Sequence, residues 1–396
     1  MSTENIHVIV VGAGVIGTAC AYYLSEAGVH VTLIDQGDVG SGTSSRCDGN
    51  VLAIDKDPGF DSQMARVSQD LLHQLAGRLH SIEYRRPGSY LVCDNTDEVA
   101  MAAEWVRRQQ AEGLPFVFLD EKAIHDHLPY IAGDVPGGLF CGSDSTLNPL
   151  LYTAELARAS RERGSHVHTH TTVTRLHVAG GRLAGVQLQD GTVIEGDMVV
   201  AAAGIWTPEL LEPLGLHVPI RPRKGHLLVS GKGPLFGHAK VMEFGYLMSK
   251  FGRERVAPPD AIQYGVALVY EPTESHNFLL GSSREFAGFD TQSNPDVVKA
   301  IARRAMRFYP GMQESTIIRT YAGLRPWTPD HFPIVSPVDA LPGLIVAAGH
   351  EGDGIGLAAV TGWLVTDFVL GRPPIIDPAP LRMSRFLEQG GVLHVE

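Results

Sequence analysis

Apolar and polar positions follow two kinds of pattern along this chain, and the order of the patterns predicts its architecture. Ile6 to Val11 is an unbroken apolar run, which is typical of a parallel strand buried on both faces. Glycines lead from this run into a helix predicted over Thr18 to Ala27, and Gly28 ends that helix. A second apolar run, Val29 to Ile34, predicts the next strand. The N-terminal region is therefore predicted to form a strand, a turn, a helix and a second strand.

Downstream patterns predict more helices and two β-rich stretches. The stretch 173–194 contains three short strand patterns joined by a Gly-Gly and an Asp-Gly pair, which favour hairpin turns. The stretch 221–324 is mostly strand-like, with polar loops that contain glycine and proline. Further strands are predicted at 87–93, 198–203 and 344–348, and further helices at 70–79, 100–113, 150–163, 295–308 and 355–370.

This order of elements predicts the fold class α/β, with parallel α/β pieces towards both ends of the chain and antiparallel strands between them. We expect a discontinuous Rossmann-type domain that carries an inserted β-rich (α+β) domain. The Rossmann-type domain is predicted to comprise residues 1–86, 146–220 and 322–396. The inserted domain is predicted to comprise residues 87–145 and 221–321.

The composition argues against several classes of function. The chain has 396 residues, of which 44% are hydrophobic and 19% charged, so it can bury a large core. Its net charge of −12 argues against nucleic acid as a partner, because phosphate binding requires a basic face. Its four cysteines form no CxxC pair, so the sequence predicts no metal site and no iron–sulfur cluster.

The sequence also carries no pattern of an export signal or a membrane span. Polar residues at the N-terminus pass directly into the first strand, without the basic and long apolar regions of a secretory signal. The most apolar late stretch, Gly354 to Leu370, is too short for a span and is interrupted by Gly362 and Asp367. We therefore expect no transmembrane segment and a cytoplasmic protein, which partner subunits could bring to the inner membrane.

The turn after the first strand has the spacing GxGxxG, formed by Gly12, Gly14 and Gly17. It follows a buried strand and opens a helix, and Asp35 stands at the end of the next strand, which is the context of a dinucleotide-binding site. Gly12 permits the tight turn, Gly14 lets the backbone approach a pyrophosphate, and Gly17 lets the helix pack against the strand. The helix N-terminus would attract the phosphates, and Asp35 would accept hydrogen bonds from the ribose hydroxyls. The motif alone does not distinguish FAD from NAD.

Four segments narrow the choice because they occur in a fixed order. They are GAGVIGTACAYYLSEAGVHVTLID, GDMVVAAAGIWTPEL, YAGLRPWTPDHFPIV and AAGHEGDGIGLAAVTG. Together they resemble the D-amino-acid oxidase superfamily of FAD enzymes, which includes glycine oxidase, sarcosine oxidase and D-amino-acid dehydrogenase. The resemblance covers nearly the whole chain, and it implies that the Rossmann-type domain binds FAD and that the inserted domain contacts the substrate. Since no cysteine matches a covalent attachment position, we expect non-covalent FAD.

The resemblance implies a set of cofactor-binding positions. The glycine turn would hold the pyrophosphate, the loop at 41–44 would lie against the pyrophosphate and flavin, and the backbone near Val173 would contact the adenine. The late glycine-rich turn would place N–H groups and a helix N-terminus at the flavin edge that gains negative charge on reduction. The predicted cofactor residues are Gly12, Gly14, Val15, Ile16, Gly17, Asp35, Gln36, Ser41, Gly42, Thr43, Ser44, Val173, Gly204, Gly349, Gly352, Gly354, Ile355 and Gly356.

On the substrate side, Arg325 matches the arginine that grips the substrate carboxylate in glycine and D-amino-acid oxidases, and its geometry suits bidentate carboxylate binding. Tyr246 matches an active-site tyrosine more loosely, and Tyr321 is a candidate that core packing explains equally well. His350 is a catalytic candidate near the flavin, although the chain has 17 histidines and none is assigned as a base.

One departure from the family pattern concerns charge. Glycine-oxidase-like sequences can carry an arginine just after the late Gly-His, where this chain has Glu351 and then Asp353. These carboxylates could bind a cationic part of the substrate, cap the following helix or point to solvent. We count Glu351 among the predicted substrate-binding residues.

The segments GHEGDGI and MEFGYLMSK look most like the FAD-bearing β subunits of multi-subunit opine dehydrogenases (octopine or nopaline), D-hydroxyproline dehydrogenase and hydrogen cyanide synthase. That resemblance implies oxidation of an amino acid or opine by hydride transfer to flavin, with partner subunits that carry further redox centres. Three alternatives stay open: a single-chain glycine, sarcosine or D-amino-acid oxidase, an electron-relay subunit whose catalysis lies on a partner, and an NAD-dependent dehydrogenase.

Overall fold

The computed structural model describes residues 6–250 and 254–386 and contains four β-sheets and the helices packed on them. In chain order, the strands and α-helices are β1 (His7–Val11), α1 (Val15–Glu26), β2 (His30–Ile34), β3 (Asn50–Val51), α2 (Phe60–Ala76), β4 (Ser89–Val92), α3 (Thr96–Ala111), β5 (Phe116–Asp120), α4 (Glu121–His127), β6 (Gly137–Cys141), β7 (Ser145–Thr146), α5 (Pro149–Glu162), β8 (His166–His168), β9 (Val173–Ala179), β10 (Arg182–Leu188), β11 (Val193–Glu195), β12 (Met198–Ala201), α6 (Thr207–Leu211), β13 (Arg221–Ser230), β14 (Lys240–Glu243), α7 (Phe244–Lys250), α8 (Pro259–Gln263), β15 (Val269–Pro272), β16 (Phe278–Gly281), α9 (Pro295–Phe308), β17 (Ile317–Trp327), β18 (Ile334–Pro337), β19 (Leu344–Ala348) and α10 (Gly354–Leu370).

The six-stranded sheet has the order β18-β19-β12-β1-β2-β8, and every neighbouring pair in it is parallel except β18 with β19. The apolar run of β1 is buried on both faces, as its continuous pattern predicts. Helix α1 packs against α5 and α10, and α10 also packs against α2. Because the strands are parallel, their carboxyl ends form a common edge, where ligands bind in doubly wound sheets.

The eight-stranded sheet has the order β17-β13-β16-β15-β14-β4-β6-β5 and is mostly antiparallel. Its longest pairing joins β13 to β17 over nearly their whole lengths. Helix α9 packs against β13 and β16, and its buried apolar residues recur at helical spacing. The predicted meander forms a separate three-stranded sheet, β11-β10-β9.

Several predicted elements match the structure closely, and others do not. Helix α9 and strand β19 have the predicted bounds, and α10 begins one residue earlier than predicted. The predicted start of α2 at residue 70 is wrong by ten residues, because its buried face includes Ser62, Ser68 and Gln69, which hide the apolar period. Helix α7 lies in a stretch that we interpreted as strand-like, although Phe244, Leu247 and Met248 are buried at helical spacing.

All strands of the six-stranded sheet lie in the three segments assigned to the Rossmann-type domain. Strand β17 of the eight-stranded sheet runs from Ile317 to Trp327, across the predicted boundary at residue 321, and β18 belongs to the six-stranded sheet. In residues 6–250 and 254–386, we find no helix with the length and apolar character that a membrane crossing needs.

Candidate active site

A cavity of about 530 Å³ lies at the carboxyl ends of β1, β2, β12 and β19. Its walls come from the turns that follow these strands, from the loop at 41–44 and from the start of β9. The predicted cofactor residues that line it are Gly12, Gly14, Val15, Ile16, Asp35, Gln36, Ser41, Gly42, Thr43, Ser44, Val173, Gly204, Gly349 and Gly354. One cavity therefore connects the glycine turn, the end of β2 and the N-terminus of α10.

The glycine turn is fixed by close approach of the backbone. Gly12 has a φ of 107°, and a side chain there would overlap the carbonyl of Ala202 at the end of β12. A side chain at Gly17 would overlap the carbonyl of Gly12 itself. The Val15 N–H, in the first turn of α1, donates to the Ser44 hydroxyl at 3.0 Å. The turn therefore brings the positive end of α1 and the loop at 41–44 to the same cavity wall.

The carboxylate of Asp35 is held by backbone donors on both oxygens. Oδ2 accepts the Ala13 N–H at 2.6 Å, and Oδ1 accepts the Gly37 N–H at 2.7 Å. Each oxygen keeps another lone pair, so the group can still accept hydrogen bonds from a ribose. Thr171 to Thr174 line the cavity beside it and include the predicted Val173.

The N-terminus of α10 borders the large cavity and also a smaller cavity of about 70 Å³. The smaller cavity is lined by residues of the loop at 43–50, of β13, β17 and α7, and of the glycine-rich turn before α10. Glu351 and Gly354 line both cavities, whereas Gly352 and Ile355 line only the smaller one. The two cavities are therefore neighbours on either side of one helix end.

Arg325 lies on β17 and lines the small cavity. Its Nη1 donates to the carbonyl of Ser283 at 2.9 Å. On the neighbouring strand, a side chain at Gly225 would overlap the Arg325 guanidinium. Gly225 therefore leaves the room in which this guanidinium lies.

Glu351 forms an ion pair with Arg223 of β13, and both side chains are buried. Its other carboxylate oxygen lies 3.0 Å from Nδ1 of His331. Burial, and then the nearby Arg223, lower the pKa of His331, so a neutral His331 donates to Glu351 at neutral pH. The alternative that Glu351 points to solvent is wrong, and its pairing with two protein groups speaks against a free carboxylate for substrate.

Asp353 does not cap α10 with its side chain, contrary to the capping alternative. It is paired with Lys56 at 2.8 Å and with Lys250 at 3.1 Å, and Asp55 contacts the same two lysines. Burial alone would raise the pKa of Asp353, but Lys250 and Lys56 outweigh it and hold that pKa well below its usual range. This cluster stabilises the turn that positions Gly352 and Gly354.

The predicted aromatic residues occupy different places. Tyr246 is on α7 and lines the small cavity, and the Arg284 guanidinium lies 4.3 Å from the centre of its ring. Tyr321 is on β17 and lines neither the large nor the small cavity, and burial raises the pKa of its hydroxyl. The core-packing explanation of Tyr321 therefore agrees better with its position.

His350 lies at the large cavity, but its ring is bonded into α10. Its Nε2 is 2.9 Å from the hydroxyl of Thr361, which donates to the Leu357 carbonyl, so His350 is the donor of that pair. Burial lowers the pKa of His350 to about 3, so the ring stays neutral at physiological pH. This geometry argues against the predicted catalytic role of His350.

Two predicted cofactor positions pack against the protein instead of lining either cavity. Gly17 supports the turn, and Gly356 packs against Asn50 and Val51 of β3. Sequence patterns missed the partner Arg223 and the stacked Arg284, because strand pairing and the turn after β16 bring them to the site. They also missed other lining residues, among them Gly37, Thr171, Thr172, Thr174, Trp206, Pro326, Arg46, Cys47, Asp48, Asn50, Gly225, Leu227, Ser282 and Gly323. Arg46 to Asn50 directly follow the loop at 41–44 that was predicted to contact the cofactor. This adjacency is the one signal from which their position could have been predicted.

Comparison with known proteins decides the family. A model of the family described as "DAO: FAD dependent oxidoreductase" matches residues 7–368. The chain belongs to this family. It is 30% identical to glycine oxidase of Pseudomonas putida over 94% of this chain and 97% of the relative. It is 25% identical to hydrogen cyanide synthase subunit HcnC of Pseudomonas protegens over 97% of each chain. The solved structure of glycine oxidase from Geobacillus kaustophilus has the same fold, with a TM-score of 0.86, 22% identity and coverage of 96% of this chain and 99% of that one.

As a member of this family, the chain is an FAD-dependent oxidoreductase, and the large cavity fits FAD. The glycine turn and the N-terminus of α1 suit the pyrophosphate, and Asp35 suits a ribose. The N-terminus of α10 suits the flavin edge that becomes negative on reduction. Among the described cysteines, Cys47 lines the small cavity and none lines the large one, and non-covalent attachment stays a prediction.

Substitution of Gly17 by alanine is expected to weaken FAD binding about tenfold or more. The added methyl group would overlap the Gly12 carbonyl, and moving α1 away costs about 1–3 kcal/mol. The dissociation constant of FAD, measured by flavin fluorescence on reconstitution, checks this. Gly233→Ala is the matched control, because a methyl group there meets no atom within 4 Å. Equal FAD affinity in both variants would contradict the assigned role of Gly17.

Proposed function

We propose that this chain oxidises the C–N bond of an amino or imino acid, with a secondary amine such as an opine or D-hydroxyproline favoured as substrate. We further propose that it acts as the FAD-bearing β subunit of a heteromeric dehydrogenase. The observation that carries the proposal is Arg325, whose guanidinium lines a small cavity that adjoins the predicted flavin end of the large cavity. Among the described residues, no carboxylate lies within ion-pair distance of Arg325, which leaves it available to an anionic substrate.

The site residues support binding and orientation. Arg325 would bind the α-carboxylate with a two-pronged contact, and Tyr246 would form the facing wall. Both restrict how the α-carbon approaches the cofactor, and restricted approach contributes much of the rate in such reactions. When bound, FAD supplies the two-electron acceptor. The substrate loses a hydride from its α-carbon and a proton from its nitrogen, the C–N bond becomes C=N, and water then hydrolyses the imine to an oxo acid and an amine.

Among the described residues, no carboxylate or histidine at the small cavity is free to act as a base, since Asp48 is paired with Lys240, so we propose that the neutral form of the amine reacts. His350 is bonded to Thr361, and Glu351 is bonded to Arg223 and His331. A protonated amine has no lone pair with which to form the second C–N bond. The protein residues would therefore orient the α-carbon of the substrate and would not act as a base.

The assignment as a subunit is supported by the similarity to hydrogen cyanide synthase subunit HcnC, which is named as one subunit of an enzyme. The similarity to glycine oxidase favours a second candidate, a single-chain oxidase that passes its electrons to oxygen. A third possibility is an electron-relay subunit whose catalysis lies on a partner, and such a chain would not need Arg325.

Anaerobic addition of candidate substrates to the purified yellow protein tests the proposal. We expect the flavin absorbance to bleach with one secondary-amine acid, and to recover slowly in air but quickly with an artificial electron acceptor. Fast recovery in air with formation of hydrogen peroxide would favour the single-chain oxidase. A flavin that no amino acid or opine reduces, together with reduction by an added redox partner, would contradict the proposal and favour the relay.

A further inference from the structure

The cations around the small cavity differ in their partners. Arg223 is paired with Glu351, and Lys240 is paired with Asp48 and Glu271. Arg46 is exposed and can be hydrated. The two partly buried guanidinium groups that have no carboxylate partner within the described ranges are those of Arg325 and Arg284.

Arg284 is a partly buried cation without a carboxylate partner in the described part of the chain. Its guanidinium lies over the ring of Tyr246, and its Nη1 is buried without a hydrogen-bond partner among residues 6–250 and 254–386. Burial lowers the pKa of Arg284, Tyr246 acts against this effect, and the nearby Arg325 lowers the pKa again. Desolvating a cation without a partner carries a large free-energy cost, which an incoming anion would offset.

The segment that carries Arg284 forms one side of the small cavity. The Ser282 side chain lines this cavity, and its hydroxyl is buried without a partner in the described part of the chain. The carbonyl of Ser283 accepts the hydrogen bond from Arg325. Three consecutive residues therefore place an unpartnered hydroxyl, the support of Arg325 and a guanidinium without a carboxylate partner next to Tyr246.

We propose that Arg284 binds a second carboxylate of the substrate, so that the preferred substrate is a secondary amine with one carboxylate on each arm. This inference rests on the proposed function and adds the charge of the substrate to it. Arg325 binds the carboxylate next to the carbon that is oxidised, and Arg284, beside Tyr246, binds the carboxylate on the other arm of the nitrogen. The Ser282 hydroxyl is placed to donate to either group.

A second carboxylate-binding group would distinguish among substrates that all have an oxidisable C–N bond but differ in their number of carboxylates. Glycine, sarcosine and D-hydroxyproline each bring one carboxylate, so Arg284 would remain unpaired when they bind. An N-(carboxyalkyl) amino acid brings two carboxylates and satisfies both guanidinium groups. The structure therefore favours substrates of the opine type over D-hydroxyproline.

Binding of two thioethers that cannot be oxidised at an amine tests this without any turnover. Thiodiacetate carries two carboxylates, and (methylthio)acetate carries one on the same scaffold. Titration of the FAD-loaded protein, followed by the change in flavin absorbance, gives both dissociation constants. We expect thiodiacetate to bind about 30-fold more tightly, since a hydrogen-bonded charge pair contributes a factor of this order.

In the Arg284→Gln variant, the two constants are expected to come within about threefold of each other, while that of (methylthio)acetate changes little. Arg284→Lys should retain part of the preference, because it keeps the charge and loses the planar fork. Arg319→Gln removes an exposed arginine from β17 and should retain all of it. An absent preference in the unsubstituted protein, or equal weakening of both ligands in Arg284→Gln, would overturn the proposal. Failure of every amine to reduce the flavin would overturn the proposed function instead, and it would leave these binding constants measurable.

Discussion

Replacement of Arg325 by alanine is expected to lower the second-order rate constant of flavin reduction by about 10²- to 10³-fold. Loss of one partner of a partly desolvated, hydrogen-bonded charge pair costs several kcal/mol, because the other partner is left without compensation. Here the other partner is the substrate carboxylate, so the loss appears in substrate binding and in orientation of the α-carbon. Stopped-flow reduction under anaerobic conditions measures it.

Two features make the result for Arg325 specific. The Arg325 side chain lines the small cavity and is absent from the walls of the large one, so the variant should retain its FAD. Arg319→Ala removes an exposed arginine from the same strand and should reduce as fast as the unsubstituted protein. A variant that keeps FAD and is reduced at the normal rate would show that Arg325 does not bind the substrate, as the electron-relay alternative requires.

The sequence was most informative where local pattern and ligand binding coincide. Gly12 and Gly17 must be glycine for reasons of backbone approach, and the turn between them lines the large cavity, so spacing alone predicted the position of this cavity wall. Strand β19 is a continuous apolar run and the buried apolar residues of α9 recur at helical spacing, so both elements have the predicted bounds. Helix α2 was mispredicted at its start because polar residues on its buried face bond to other elements, as Ser68 does to the Gly356 carbonyl.

The substrate side could not be predicted in the same way, because its residues are brought together by pairing between distant strands. Arg223 reaches Glu351 only because β13 pairs with β17 and the Glu351 N–H bonds to Pro326 at the end of β17. No local pattern marks either residue as one half of a buried ion pair. The sequence showed that Glu351 stands where related sequences can have an arginine. It did not show the role of Glu351, because that role depends on Arg223, which no sequence pattern marks.

Lys240 also contacts residues that are distant in sequence, and these contacts link the small cavity to the stability of the fold. Its side chain is 2% exposed and contacts Asp48, Asn50 and Glu271. Burial alone would lower the pKa of Lys240, but Asp48 and Glu271 outweigh it and raise that pKa. Lys240 in turn outweighs the effect of burial on Asp48 and lowers its pKa. Asp48 belongs to the loop at 43–50 and lines the small cavity, and Lys240 belongs to β14. Their ion pair therefore holds this loop against the eight-stranded sheet.

Substitution of Lys240 by methionine is therefore expected to lower the free energy of unfolding by about 3–5 kcal/mol at pH 8, because two buried carboxylates lose their cation. Without Lys240, both carboxylates should have raised pKa values in the folded protein, so the folded state binds more protons than the unfolded state and the variant gains stability as pH falls. In the unsubstituted protein, Lys240 keeps the pKa of Asp48 lowered, so the contribution of Asp48 is lost only below about pH 4, and burial raises the pKa of Glu271 against the opposing effect of Lys240, which gives a smaller gain in stability as pH falls than in the variant. The difference in unfolding free energy between the variant and the unsubstituted protein, measured by urea unfolding, should thus narrow between pH 8 and pH 5.

Lys122→Met is the control, because Lys122 is 86% exposed and its variant should show no pH-dependent difference from the unsubstituted protein. A difference for Lys240→Met that stays constant or widens towards pH 5 would mean that Asp48 and Glu271 do not depend on Lys240 for their charge.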